Sequence, residues 1–179
     1  MTAFLVALAA SERRWLATRG AREPRRAILA ALRALTGLGN GSIWAVAYAV
    51  LLLSGVPGGG IGALLLAVAF ANVPVVAIKK VLRRERPSQH DPNPLFAGDT
   101  LRRHTAFDRY SFPSGHAANA FAVATTVGFL IPGGGGPFTV LAVAIAAARV
   151  ILGQHYPSDI LAGACLGTAA GWMATWGFR

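Results

Sequence analysis

Apolar residues run in blocks along this chain. They occupy about 42–56, 60–78, 117–132, 137–153 and 159–178, each close to the roughly 20 residues that a helix needs to cross a hydrocarbon core. The pattern predicts a single all-α domain over residues 1–179, an integral-membrane helical bundle with about five transmembrane helices. A shorter apolar stretch, 27–38, is interrupted by Arg33. If it crossed, the spans would number six; its shortness and its charge favour five.

The first apolar run, Ala3 to Ala10, is too short to span. Arg13, Arg14, Arg19, Arg22, Arg25 and Arg26 follow it, which reverses the charge order of a secretory signal. Residues 1–38 therefore read as a basic amphipathic segment holding an interfacial helix, with Trp15 at headgroup level. Gly37-Leu38-Gly39-Asn40-Gly41 marks a turn, and the glycine runs 58–60 and 133–136 read as hairpins between spans. Residues 80–112 differ: they are long, charged and proline-containing, and read as an active-site loop. Gly163, Gly167 and Gly171 have the small-xxx-small spacing of close helix packing, within the bundle or between two copies, the former preferred.

Composition sharpens this picture. The chain is 54% hydrophobic and 13% charged, against roughly 45–50% and 25% in ordinary soluble domains. A net charge of +10 raises nucleic acid as a partner. The basic residues sit beside apolar spans without aromatic interleaving, however, so membrane lipids with anionic headgroups are the expected partner and nucleic acid is not. Cys165 is the one cysteine, which excludes an intrachain disulfide and a thiolate metal site. His90 and His104 lack a compact ligand spacing. No metal and no cofactor is expected.

Charge inside an apolar span is costly, so each instance is a candidate for function. From Pro113 to the C-terminus the charged or histidine residues are His116, Arg149, His155, Asp159 and the terminal Arg179. Upstream, Lys79 and Arg86 are seven apart, which on a continuous helix places them on nearly one face, with Pro87 ending the helix or opening the loop. Lysine occurs only as the pair Lys79-Lys80, which favours a role for Lys79, whereas Lys80, Arg83 and Arg84 read as a solvated helix end reaching headgroups. In Pro113-Ser114-Gly115-His116, Ser114 can cap the following helix and Gly115 allows close backbone approach. A helix N-terminus there suits a phosphate oxygen, with His116 beside it. Pro157 suits a first helical turn, which leaves His155 just outside the helix and lets the Asp159 carboxylate reach back to the imidazole. A carboxylate on one ring nitrogen fixes the tautomer and frees the other nitrogen to attack.

Taken together, Lys79-x6-Arg86-Pro87, Pro113-Ser114-Gly115-His116 and Ala148-Arg149-x5-His155-x3-Asp159 resemble the signature of the type 2 phosphatidic acid phosphatase family: K-x6-RP, PSGH and SR-x5-H-x3-D, in that order. The one departure is Ala148 in place of serine, which touches an accessory contact to phosphate or its binding loop. The resemblance implies a metal-independent phosphatase acting on a lipid phosphate of the phosphatidic acid, phosphatidylglycerol phosphate, phosphatidylinositol phosphate or polyprenyl phosphate class. It implies that His155 attacks phosphorus, Asp159 orients it and His116 protonates the leaving alkoxide. Lys79, Arg86 and Arg149, with Ser114 and Gly115, would bind the phosphate oxygens.

Two rivals remain at this level. Vanadium haloperoxidases share the signature but resemble larger soluble proteins. A non-catalytic bundle that holds anionic headgroups would need the cations without needing a histidine–carboxylate pair facing a second histidine. The expected location is a bacterial-type inner (plasma) membrane. With five spans all three motifs fall on the side of the N-terminus, and the arginine-rich flanks assign that side to the cytoplasm; a sixth span would turn the site outward.

Overall fold

The computed structural model describes residues 3–19, 26–39, 43–89 and 109–176. Among them the chain forms α1 (Ala3–Arg19), α2 (Arg26–Gly37), α3 (Ile43–Leu53), α4 (Gly58–Leu82), a 3₁₀ turn (Pro87–Gln89), α5 (Gly115–Leu130), α6 (Gly135–Ile151) and α7 (Pro157–Thr175), with no strand in the described residues. Each of the five apolar blocks becomes one helix, α3 to α7. Their lengths differ: α3 has 11 residues and α4 has 25. The helical run from Gly58 is the one, among the described residues, that is long and apolar enough by itself to cross a bilayer.

α5 is the axis of the bundle and packs against α3, α4, α6 and α7. One core, built on Ile43, Leu51, Leu64, Val123, Val127 and Ile145, joins α3, α4, α5 and α6. A second, almost all alanine, joins α4, α5 and α7 through Ala67, Ala71, Ala118, Ala122 and Ala170. Side chains this small let backbones approach closely. The glycine series of α7 takes this furthest: a Cβ on Gly163 or Gly167 would fall into the backbone of Ser114 or Ala118, and one on Gly171 would sit 2.8 Å from the Ala122 carbonyl oxygen. These glycines pack within the bundle, against α5.

The outer faces are apolar instead of polar. Leu53 is 89% exposed and Val140 71%, with Leu65, Val73 and Leu161 also uncovered, a surface suited to hydrocarbon and costly in water.

Two expectations are corrected. α4 stops at Leu82, because Arg83 adopts a left-handed conformation (φ 46°) that closes the last turn with its N–H on the Lys79 carbonyl. Lys79 is therefore in the final turn and Arg86 lies beyond the helix, so their convergence does not come from a shared helix face. The N-terminal segment is also not uniformly amphipathic. α1 divides along its length, apolar first and polar after Ser11, and it is α2 that carries an apolar stripe around its axis. Residues 90–108 of the expected loop, with His90 and His104, lie outside the described residues.

Candidate active site

Four helix ends meet at one end of the bundle: the C-termini of α4 and α6 and the N-termini of α5 and α7. Backbone hydrogen bonds stitch them together. The Ser114 N–H donates to the Asp159 carbonyl (3.0 Å), the Ser88 N–H to the Gly153 carbonyl (3.0 Å) and the Ser111 N–H to the Arg84 carbonyl (2.7 Å). The three sequence motifs are thus tied through main chain before any side chain is considered.

Lys79 is buried, and its ammonium donates to the Tyr110 carbonyl at 2.6 Å. Arg86, also buried, reaches the carbonyl of Gln154 at 3.4 Å. Ser114 caps α5, its hydroxyl accepting from the Ala117 N–H. Gly115 is not crowded by protein: a Cβ there would make only an ordinary contact with Val75. Arg149, on the last turn of α6, places Nη2 3.5 Å from Nε2 of His155. Ala148 beside it is fully buried.

His155 sits in the short connection before α7, 1% exposed. Its Nδ1 lies 3.5 Å from Oδ2 of Asp159, and that same oxygen accepts the Tyr156 N–H at 2.8 Å. Asp159 therefore closes the first turn of α7 and faces the imidazole at once. Burial, then the charges of Arg86, Arg149 and Lys79 and the neighbouring His116, hold the His155 imidazole well below its ordinary value of 6.5. It is neutral at physiological pH, with Nε2 on the cationic side and Nδ1 on the carboxylate side. All eight residues singled out from sequence thus lie at the four converging helix ends. Among the described residues no group of three or more His, Cys, Asp or Glu is placed to hold a metal ion.

Arg84 differs from its sequence reading as a solvated headgroup ligand. Its side chain is 11% exposed. Nη1 donates to the Ser158 hydroxyl at 2.7 Å and to Oδ1 of Asp159 at 2.8 Å, and the guanidinium carbon stands 4.1 Å over the Tyr156 ring. Its Nη2 donates to Glu12 of α1 at 2.6 Å. The helix break at Arg83 turns this side chain inward, whereas Lys80 and Arg83 remain exposed as expected. One clue existed: Glu12 is one of seven acidic residues in the chain and stands in an arginine-rich run. Gly39 was likewise read only as part of a turn, yet its backbone lies against the His116 ring.

A model of the PAP2 superfamily matches residues 60–179. The chain is 32% identical over 107 residues to lipid A 1-phosphatase of Rhizobium etli, covering 60% of this chain and 44% of that protein. It is 36% identical over 102 residues to decaprenylphosphoryl-5-phosphoribose phosphatase of Mycobacterium tuberculosis, covering 56% and 51%. The chain spans about half the length of these curated relatives. Among solved structures it is similar to LpxE of Aquifex aeolicus, with a TM-score of 0.72, 23% identity and coverage of 92% of this chain and 93% of that one. It is also similar to a transmembrane PAP2-type phosphatidylglycerolphosphate phosphatase of Bacillus subtilis, with a TM-score of 0.67, 23% identity and coverage of 96% and 86%.

Proposed function

The chain belongs to the PAP2 superfamily, and on that premise we propose that it is a membrane phosphatase that hydrolyses a lipid-linked phosphate monoester or diphosphate through a phosphohistidine on His155. One observation carries this reading: a buried His155 held between the Arg149 guanidinium and the Asp159 carboxylate, 3.5 Å from each.

The carboxylate facing Nδ1 favours the tautomer with the proton there, which leaves the Nε2 lone pair free on the cationic side. Nε2 attacks phosphorus and the bond from phosphorus to the lipid oxygen breaks; His116, carrying a proton once the negative charge of the bound phosphate offsets Lys79, Arg86 and Arg149, gives that proton to the oxygen. Water then attacks the phosphohistidine, His116 takes a proton from it, and phosphate leaves as the bond to Nε2 breaks. Lys79, Arg86 and Arg149 oppose the charge spread over the phosphoryl oxygens, the part that magnesium plays in many phosphoryl-transfer enzymes. The α5 N-terminus, capped by Ser114 and opened by Gly115, offers backbone N–H groups to the same oxygens.

The relatives support the substrate class, since each is named as a phosphatase of a lipid-linked phosphate. Apolar outer faces on the bundle that ends in the site favour a scissile phosphate at headgroup depth. Glu12 meets the site at Arg84, and Gly39 meets it at His116. The chain between them starts and ends at the same level and is too short for two crossings of roughly 20 residues each. This supports five spans, α3 to α7, with α1 and α2 on the side of the site, and the arginines there favour the cytoplasmic face.

The test is phosphate release from a short-chain lipid phosphate in detergent with EDTA present. Turnover is expected; none against any lipid phosphate or diphosphate would end the reading.

A further inference from the structure

Glu12 is the one acidic side chain of α1, and it is not in solvent. Its Oε1 accepts the Ser158 N–H at 2.8 Å, and its Oε2 accepts the Ser158 hydroxyl at 2.9 Å and Nη2 of Arg84 at 2.6 Å. Ser158 is the second residue of α7, and an N–H at that position has no partner inside its own helix. Pro157 before it has no N–H to offer, and the Asp159 N–H is taken by the Tyr156 carbonyl. A carboxylate from α1 therefore completes the N-terminus of α7, where negative charge is also favoured by the helix dipole.

Arg84 links this cap to the dyad. Its fork spans Glu12, Ser158 and Oδ1 of Asp159, while Tyr156 supports it from below. With Oδ1 held by Arg84 and Oδ2 by the Tyr156 N–H, the carboxylate plane is fixed at both oxygens, and with it the oxygen that faces Nδ1 of His155. Glu12 and Asp159 also share the guanidinium charge, so neither carboxylate is buried without a counterion. Lysine could replace the charge of Arg84 but not its three-way geometry.

We infer that Glu12 and Arg84 are positioning residues for the nucleophile, and that docking of α1 through Glu12 sets the orientation of the Asp159–His155 pair. The site is complete only when the N-terminal helix is seated, so an event that lifts α1 from this end of the bundle lowers turnover without touching a phosphate ligand. This rests on the phosphatase reading above.

The experiment measures kcat, KM and melting temperature in detergent for Arg84→Ala, Arg84→Lys, Glu12→Gln and the double variant Glu12→Gln/Arg84→Ala, with Arg14→Ala on α1 as the control. Both Arg84 variants are expected to lose kcat by roughly 10- to 100-fold, the scale for a small misplacement of a reacting group, with KM within about twofold. Glu12→Gln keeps its acceptor oxygen but loses its charge, and is expected to lose about three- to tenfold. Because the residues act in series, the double variant should be no slower than Arg84→Ala alone. Arg14→Ala should match the wild type. If Arg84→Ala does not fold, Arg84→Lys carries the same comparison. A lower melting temperature in Glu12→Gln with unchanged kcat would make the contact a mere anchor and overturn the inference, as would additive losses in the double variant. A wild-type protein inactive on every lipid phosphate would remove the reading itself, and the relay with it.

Discussion

The backbone of Gly39 rests against the imidazole of His116, so close that a Cβ at Gly39 would stand 2.6 Å from Cδ2 of the ring and 3.1 Å from Ile145. Gly39, just beyond α2, thus stands as a wall behind the proposed general acid. Gly39→Ala should push the ring out of line and lower kcat about tenfold for an alkyl phosphate, on the scale of a small misplacement. An aryl phosphate with a good leaving group needs less protonation and should lose much less. Equal losses on both substrates would separate Gly39 from the acid role.

His155→Ala removes the proposed attacking nitrogen and should reduce phosphate release by roughly a thousandfold or more. The residue lies in a connection between helices, so the variant should still purify as a folded protein. Substantial remaining turnover would exclude the phosphohistidine.

Vanadate and tungstate imitate the phosphoryl transition state. Facing three cations and a helix N-terminus, either should inhibit competitively below millimolar concentration in protein freed of divalent metal beforehand and assayed without chelator. Inhibition that depends on added magnesium would count against a site whose opposing charge is wholly protein-borne.

His155 also sets a pH dependence. Its folded value is held well below 6.5, so as pH falls through about 6.5 the unfolded chain takes up a proton that the folded site refuses. The associated stability is present above that pH and declines below it, by about 1.4 kcal/mol per pH unit while the difference lasts. Melting temperature should fall from pH 7 to pH 5, and fall less steeply in His155→Asn. Parallel slopes for the two proteins would show that His155 is not the group responsible.

Sidedness can be read by labelling. With Cys165 replaced by alanine, single cysteines at Arg109 and Gly136, both exposed, report the site end and the α5–α6 hairpin. A membrane-impermeant maleimide on intact cells should reach Gly136→Cys and not Arg109→Cys. The reverse pattern would turn the site outward.

The sequence discloses the bundle and the site through different signals. Blocks of apolar residues locate α3 to α7 to within a few positions, because charge buried against lipid or neighbouring helices is costly and therefore rare. His116, Arg149, His155 and Asp159 stand out because, apart from the terminal Arg179, no other charged or histidine residue follows Pro113. Lys79 and Arg86 were singled out on a period of 3.6 that does not hold between them, since Arg83 breaks the helix. Arg84 escaped for the same reason: on a continued helix it would face outward. Glu12 and Gly39 act across contacts spanning 146 and 77 positions of the chain, to Ser158 and His116, and local pattern carries no information about partners that far away.

The glycine seam between α5 and α7 has a mechanical consequence. His116 stands at the tip of one helix and Asp159 at the tip of the other, and Gly163, Gly167 and Gly171 let the two shafts lie almost backbone to backbone. The pair resembles the closed blades of a pair of tweezers: the gap at the tips, between the proposed acid and the carboxylate that faces His155, follows from how tightly the shafts are pressed together. A single methyl at Gly171, some three turns down and far from any phosphate, would act as a wedge that spreads the tips. The geometry of the site is thus set in part along a seam of glycines, away from the helix ends where its residues meet.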